Sequence, residues 1–372
     1  MKSAMETKEY IPFEATHPGS LIKDELKYRR IAQKEFAIDI DMQPTMLNEL
    51  INEKRAITAE IALALEKGLG ITAEYWMRHQ AGYELDCARI KERNIQKSKH
   101  IEIWGLLKQY VPVSIFSKLG LFTNSLADNI AKVWEVYEVK SIDGLIESFS
   151  IHKNLALYKK STKLNNDLIN NFAWSKYAQW IAKPEKLVPF EPESKVSIVL
   201  QLKSLFYDNK QVVEETKRIL NSKGIKFFVI DKFKQSPTDG YSFWSIDNPA
   251  IVVTQRKTQL DNFAFTVLHE LGHVFEHLKP NGEESFLDID CPDIELNEKE
   301  EAAHKFAERS FVEDKIWDEF MKQNPHFNFG STEHQIIQLA GHLRVHPSII
   351  LGRYCYETGQ FAIKTAIDRT IH

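Results

Sequence analysis

The sequence predicts an α+β chain that is mostly α. It divides into a helical N-terminal domain at 17–92, a helical middle region at 93–190 and a C-terminal domain with a small antiparallel sheet at 191–372. Three observations carry this reading. Apolar residues recur at helical spacing through most of the chain, with caps and glycine stops between the runs. Short β-branched and aromatic runs come late, at 225–230, 240–244 and 250–254. The proline-rich stretch from Lys183-Pro184 to Pro192-Glu193 is the clearest break.

A chain of 372 residues has room for two or three domains. Its 48 basic and 52 acidic residues nearly cancel, which excludes a general electrostatic drive toward nucleic acid or membrane. Cys87, Cys291 and Cys355 are widely spaced, so no disulfide framework or thiolate metal site is expected, and a reducing cytoplasm fits. Residues 1–10 are polar, unlike a signal peptide. No apolar run approaches the roughly 18 residues that span a bilayer.

Residues 1–16 are expected to be a mobile arm. His17-Pro18-Gly19 then opens a helix through about Tyr28, with Leu21, Ile22, Glu25 and Leu26 on its inner face. A short helix follows at 33–40, then a tight turn at Asp41-Met42. A second short helix at 43–51 carries Pro44 in its first turn. Thr58 caps a further helix to Lys67, which Gly68 and Gly70 end. Two short helices around a tight turn make a helix-turn-helix; periodicity alone leaves a generic five-helix bundle open.

The wording of this segment narrows the choice. His-Pro-Gly, Gln33-Lys34-Glu35-Phe36-Ala37, Asn52 to Thr58, and Ala73-Glu74-Tyr75-Trp76 resemble the HigA-type antitoxins of the XRE repressor class over roughly 17–90. The resemblance implies that the second helix enters the major groove of operator DNA. Gln43, Thr45 and Asn48 would then read base edges, and Lys54 and Arg55 would hold phosphates. It also implies a HigB-like toxin as partner. Against strong binding, 17–90 holds ten basic and twelve acidic residues, a net charge of −2. A homodimer on a two-fold operator is expected to compensate. Asp41 stands where such turns commonly have glycine, and aspartate tolerates positive φ. Glu49 lies within the recognition helix.

Residues 91–190 read as helical. Trp134, Tyr137, Phe149, Phe172, Trp174, Tyr177 and Trp180 are expected to form core, and Lys153, Lys159, Lys160 and Lys163 a solvated face.

The C-terminal region is organised around His269-Glu270-Leu271-Gly272-His273. Phe263, Val267 and Leu271 place it on a helix from about Leu260. Residues i and i+4 share a helix face, so His269 and His273 can direct two imidazoles at one ion. Glu270 can reach a water there as general base, the pattern of zinc hydrolases on a zincin-like fold. The alternative is a helix with two packed or solvated histidines. A third ligand is expected from the helical stretch 298–307, where spacing does not choose between Glu300 and Glu301. His304, four residues beyond Glu300, can support it. His277 continues the series at a drifting angle, as a supporting or structural residue.

From 225 to about 360 the chain resembles the ImmA/IrrE family of zinc metallopeptidases. The resemblance lies in the strand 250–254, the approach Asn262-Phe263-Ala264-Phe265-Thr266, the HELGH motif, Glu300 to Ala307, and His346 to Arg353. It implies Zn²⁺ held by His269, His273 and Glu300, with Glu270 as the catalytic base. It also implies a DNA-binding regulator as substrate, with the chain's own N-terminal half among the candidates. His304 departs from the Asn or Asp usual at its position. Tyr241, His277 and His304 are the candidates for a second hydrogen-bonding shell or substrate contact. The acidic stretch 283–301 reads as a solvated loop. The expected function is a DNA-binding antitoxin fused to a zinc endopeptidase. The alternative is a non-catalytic antitoxin that sequesters a HigB-type toxin and represses its own operon.

Overall fold

The computed structural model describes residues 11–156, 166–233, 239–254, 259–280, 285–287 and 294–372. They divide into two compact units between Ile103 and Trp104.

The first unit holds helices α1 (Pro18–Arg29), α2 (Gln33–Asp39), α3 (Pro44–Ile51), α4 (Ala59–Leu69) and most of α5 (Ala73–Leu107). The His-Pro-Gly opening has a physical account. The His17 imidazole accepts the Gly19 N–H at 2.9 Å, capping α1, and Pro18 occupies a position whose missing N–H costs nothing. Gly19 is where α1 meets α3: a Cβ there would stand 1.8 Å from the Leu50 carbonyl oxygen. Asp41 turns the chain between α2 and α3 at φ 53°. Ile22, Phe36, Leu47, Leu50, Leu65 and Trp76 close a single core beneath these helices.

Three local expectations need correcting. Gly68 does not stop α4; the helix runs on to Leu69, and Gly68 makes room for the Phe36 ring while Gly70 supplies the left-handed stop. Residues 12 and 13 are not a loose arm, because the Arg93 guanidinium donates to the Pro12 and Phe13 carbonyls at 3.0 and 3.3 Å. The boundary expected at 92–93 falls inside the continuous helix α5.

The second unit begins with α6 (Val113–Lys118), α7 (Leu126–Tyr137), α8 (Ile142–Ala156) and α9 (Asn166–Ala182). Tyr137, Phe149, Phe172 and Trp174 are buried there. The chain continues through α10 (Lys195–Asp208), α11 (Val212–Asn221), β1 (Lys226–Ile230), β2 (Gly240–Ser245), β3 (Asn248–Thr254), α12 (Leu260–Glu276), β4 (Ser285–Leu287), α13 (Ile294–Phe311), α14 (Asp314–Gln323), α15 (Ser331–Leu343) and α16 (Pro347–Thr358). The sheet order is β1-β3-β2-β4. The expectation of an antiparallel sheet holds for β2 with β3 and β4, but β1 runs parallel to β3, with Phe227 opposite Ile251. The sheet is therefore mixed. β3 is internal and buried along its whole length, which its unbroken apolar run matches.

The break expected at 190 lies within this unit. α9 packs on the sheet: Gln179 donates to the Tyr241 hydroxyl at 2.6 Å, and the buried Lys226 ammonium donates to the Ala182 carbonyl at 2.9 Å. α12 lies on the other side, against β2, β3, α13 and α16. No described helix is long and apolar enough to cross a membrane.

Candidate metal centre and nucleic-acid interface

α12 is buried along most of its length, through Phe263, Ala264, Val267, Leu268, Leu271 and Val274. Gly272, inside the histidine motif, faces α13 so closely that a Cβ would stand 3.0 Å from the Ala303 Cα. Two small residues at the crossing let the helices approach, and the approach brings Glu300 onto His269 and His273. His269 Nε2 lies 3.1 Å from Glu300 Oε2, His273 Nε2 lies 3.3 Å from Glu300 Oε1, and the two Nε2 atoms are 3.2 Å apart. Donors about 2.0–2.1 Å from one tetrahedral ion stand about 3.3 Å from each other. The donor set and its spacing both fit zinc.

The electrostatics agree with that fit. Burial pushes the Glu300 carboxyl up, but the His269 and His273 rings outweigh it and hold it down at about 2. Burial pushes His273 below the usual histidine value, toward the neutral form a metal requires. Glu301, the other reading of the spacing, is exposed and pairs with Lys305 at 2.5 Å.

His277 stands beside His273, their Nδ1 atoms 3.1 Å apart, so it fixes the His273 ring with Nε2 toward Glu300. His304 does not support Glu300. It pairs with Glu308 at 3.4 Å and packs on the Phe265 ring, on the same stretch of wall as His269. Tyr241 is no oxyanion donor. Successive strand residues face opposite ways, and Tyr241 points to α9 while its neighbour Ser242 points to α12.

Ser242 and Gly240 are the residues the sequence reading missed. Glu270 is almost wholly buried, its carboxylate bonded to the Ser242 hydroxyl. A Cβ at Gly240 would stand 2.1 Å from Glu270 Oε1, so glycine leaves the space the carboxylate occupies. The signal was present: small residues at 240 and 242, alternating with aromatics, mark one face of β2. Asp288, Asp290 and Asp293 of the acidic stretch lie outside the described residues, as do Lys159, Lys160 and Lys163 of the basic run.

In the first unit Gln43, at the N-cap of α3, and Thr45 and Asn48 within it are each exposed, while Leu47 and Leu50 are buried. Asn48 accepts from Asn52 at 2.9 Å. Lys54 is exposed just past the helix, and Arg55 pairs with Glu49 at 2.7 Å, so part of its charge is answered within the chain.

No protein-family model matches the chain. Curated relatives match its N-terminal part. Virulence-associated protein A of Dichelobacter nodosus is 36% identical over 94 residues, covering 25% of this chain and 90% of that protein. Virulence-associated protein I of the same organism is 33% identical over 82 residues, 22% of this chain and 76% of that protein. An uncharacterised HTH-type transcriptional regulator of Escherichia coli is 28% identical over 68 residues, 18% of this chain and 72% of that protein. Among solved structures, an addiction module antidote protein of a HigA family from Coxiella burnetii is 28% identical, covering 23% of this chain and 95% of that one, with a TM-score of 0.21. The antitoxin HigA of Pseudomonas aeruginosa, solved with the higBA promoter, is 27% identical, covering 23% of this chain and 94% of that one, also with a TM-score of 0.21. Through its N-terminal part the chain belongs to the helix-turn-helix family of the virulence-associated proteins A and I. That part is the segment whose wording resembles the HigA-type antitoxins.

Proposed function

We propose that this chain is a DNA-binding regulator of the HigA antitoxin type whose second unit is a zinc endopeptidase acting on a specific regulatory protein. The observation that carries the peptidase half is the convergence of His269, His273 and Glu300 beside the buried base Glu270. Zinc at these donors would supply Lewis acidity and bring the pKa of water there toward ~7. Glu270 accepts the proton of the attacking water. Ser242 and the space at Gly240 fix its carboxylate for that transfer. Glu270 then returns the proton to the leaving amine nitrogen. His277 keeps the His273 ring in place. The resemblance to ImmA/IrrE peptidases supports a DNA-binding regulator as substrate, this chain's own N-terminal half included.

For the first unit, the exposure of Gln43, Thr45 and Asn48 at the start of α3 and along it supports base reading from the major groove, with Lys54 and Arg55 on phosphates. The near-neutral charge of the unit supports a homodimer on two half-sites. A HigB-like toxin is the further partner implied by the antitoxin resemblance.

A second reading is a non-catalytic antitoxin with a structural or latent zinc site. It is favoured by the relatives above, which match the N-terminal part. Bound metal and turnover separate the two. The peptidase reading expects about one zinc per chain, lost in His273→Ala and kept in Glu270→Gln, with cleavage of repressor substrates lost in both. Zinc retention with no cleavage of any repressor, together with operator binding, leaves the antitoxin reading standing. No zinc in the wild type, even after supplementation, removes the peptidase reading.

A further inference from the structure

A cleft of about 360 Å³ opens directly beside His269, between β3, α12, α13 and α16. Phe263, Phe265, Phe311, Ile349 and Ile350 give it apolar walls. Two carboxylates in those walls are already answered from within the chain. Asp261 is held by the Arg369 guanidinium. Glu308 is held by His304 at 3.4 Å and Arg353 at 3.8 Å. Arg353 is itself committed, to Glu357 at 2.9 Å and over the Trp317 ring. A charged ligand group entering here would compete with these pairs, whereas an apolar one gains from leaving water.

Resting on the zinc-peptidase reading, we propose that this cleft receives one large apolar side chain, aromatic or branched, of the peptide residue flanking the bond to be cut. The placement supports it, since a group bound at the metal cluster has the cleft as its immediate neighbour through His269. The cleft is therefore the specificity pocket of the second unit, and it selects by size and apolarity.

The test uses the zinc-loaded full chain and hydroxamates, which bind zinc without needing turnover. Acetohydroxamate reports the metal alone. Hydroxamates of phenylalanine, leucine, lysine and aspartate add one side chain each, and affinities are read by calorimetry. The phenylalanine and leucine compounds are expected to bind about tenfold tighter or more than acetohydroxamate, with no such gain for lysine or aspartate. Thr266 lines the cleft one turn before His269. Thr266→Trp fills it and is expected to erase the gain while zinc content stays unchanged. Equal affinities across the series, or preference for lysine through Asp239 in the same wall, would overturn the pocket while leaving the metal reading intact. Failure to bind zinc or acetohydroxamate overturns the peptidase reading and the pocket with it. The wild-type series decides the matter even if Thr266→Trp does not fold.

Discussion

Ser242 on β2 and Glu270 on α12 are joined twice: the serine hydroxyl is bonded to the glutamate carboxylate and lies 3.1 Å from its backbone carbonyl oxygen. A hydrogen bond to a charged group contributes about 1.5–3 kcal/mol. On the peptidase reading, Ser242→Ala is therefore expected to lower cleavage roughly 10- to 100-fold at unchanged zinc content. Gly240→Ala, whose methyl would occupy the space of Glu270 Oε1, is expected to lower it further. Zinc analysis beside a cleavage assay checks both, and a loss of zinc in Ser242→Ala would disprove this division of labour.

The two adjacent glutamates of α13 are expected to behave oppositely. Glu300→Gln removes a donor from the cluster and should weaken zinc binding by more than ~100-fold, since even outer-shell partners account for 10–100-fold. Glu301→Gln removes an exposed pair with Lys305 and should leave zinc affinity unchanged. Competition with a chromophoric chelator measures both.

These two residues also mark how far the sequence reached. Spacing placed a third candidate donor in the turn of α13 that holds Glu300, but neighbours on a helix point ~100° apart. Which one faces α12 depends on the Gly272–Ala303 crossing, a contact between segments 31 residues apart. His304 was misread for the same reason: its partner is Glu308, one turn onward, and not Glu300, one turn back. Helix caps were legible because they are local, as at His17, Pro44 and Thr58. The parallel pairing of β1 with β3 was not, because nothing in either strand states its neighbour's direction. Tyr241 was judged by residue type, and its place in a strand decided otherwise.

In the first unit, Gly19→Ala places a methyl against the Leu50 carbonyl and is expected to destabilise the fold by about 1–3 kcal/mol. Denaturant unfolding followed through Trp76 fluorescence, with the other tryptophans replaced, reads this directly. A neutral outcome would mean that α1 and α3 separate at little cost.

On DNA, Gln43→Ala and Asn48→Ala are each expected to cost about 1–3 kcal/mol and to relax selection at one base pair. Lys54→Ala should instead weaken all sequences alike and reduce the salt slope by about one. Selection from a random duplex pool, repeated at two salt concentrations, distinguishes these. Unchanged selection in both α3 variants would move the reading surface elsewhere.

Arg369 reaches back to the buried Asp261 in the first turn of α12. Removing one partner of a buried pair costs about 3–5 kcal/mol, because the other charge is stranded. Arg369→Ala should therefore lower the melting temperature clearly, and Arg369→Ala with Asp261→Asn should recover much of the loss. No recovery in the double variant would place Arg369's contribution in packing alone.

The seat of Glu270 is made by a strand, while the three donors come from two helices. The two halves of the proposed chemistry thus answer to separate stretches of the gene. A change confined to codons 240–242 reaches the seat and leaves the histidines and Glu300 intact. On the proposed peptidase reading, descendants that keep an ion and lose the reaction are therefore a single substitution away. Such a descendant would still pass every test for a metalloprotein.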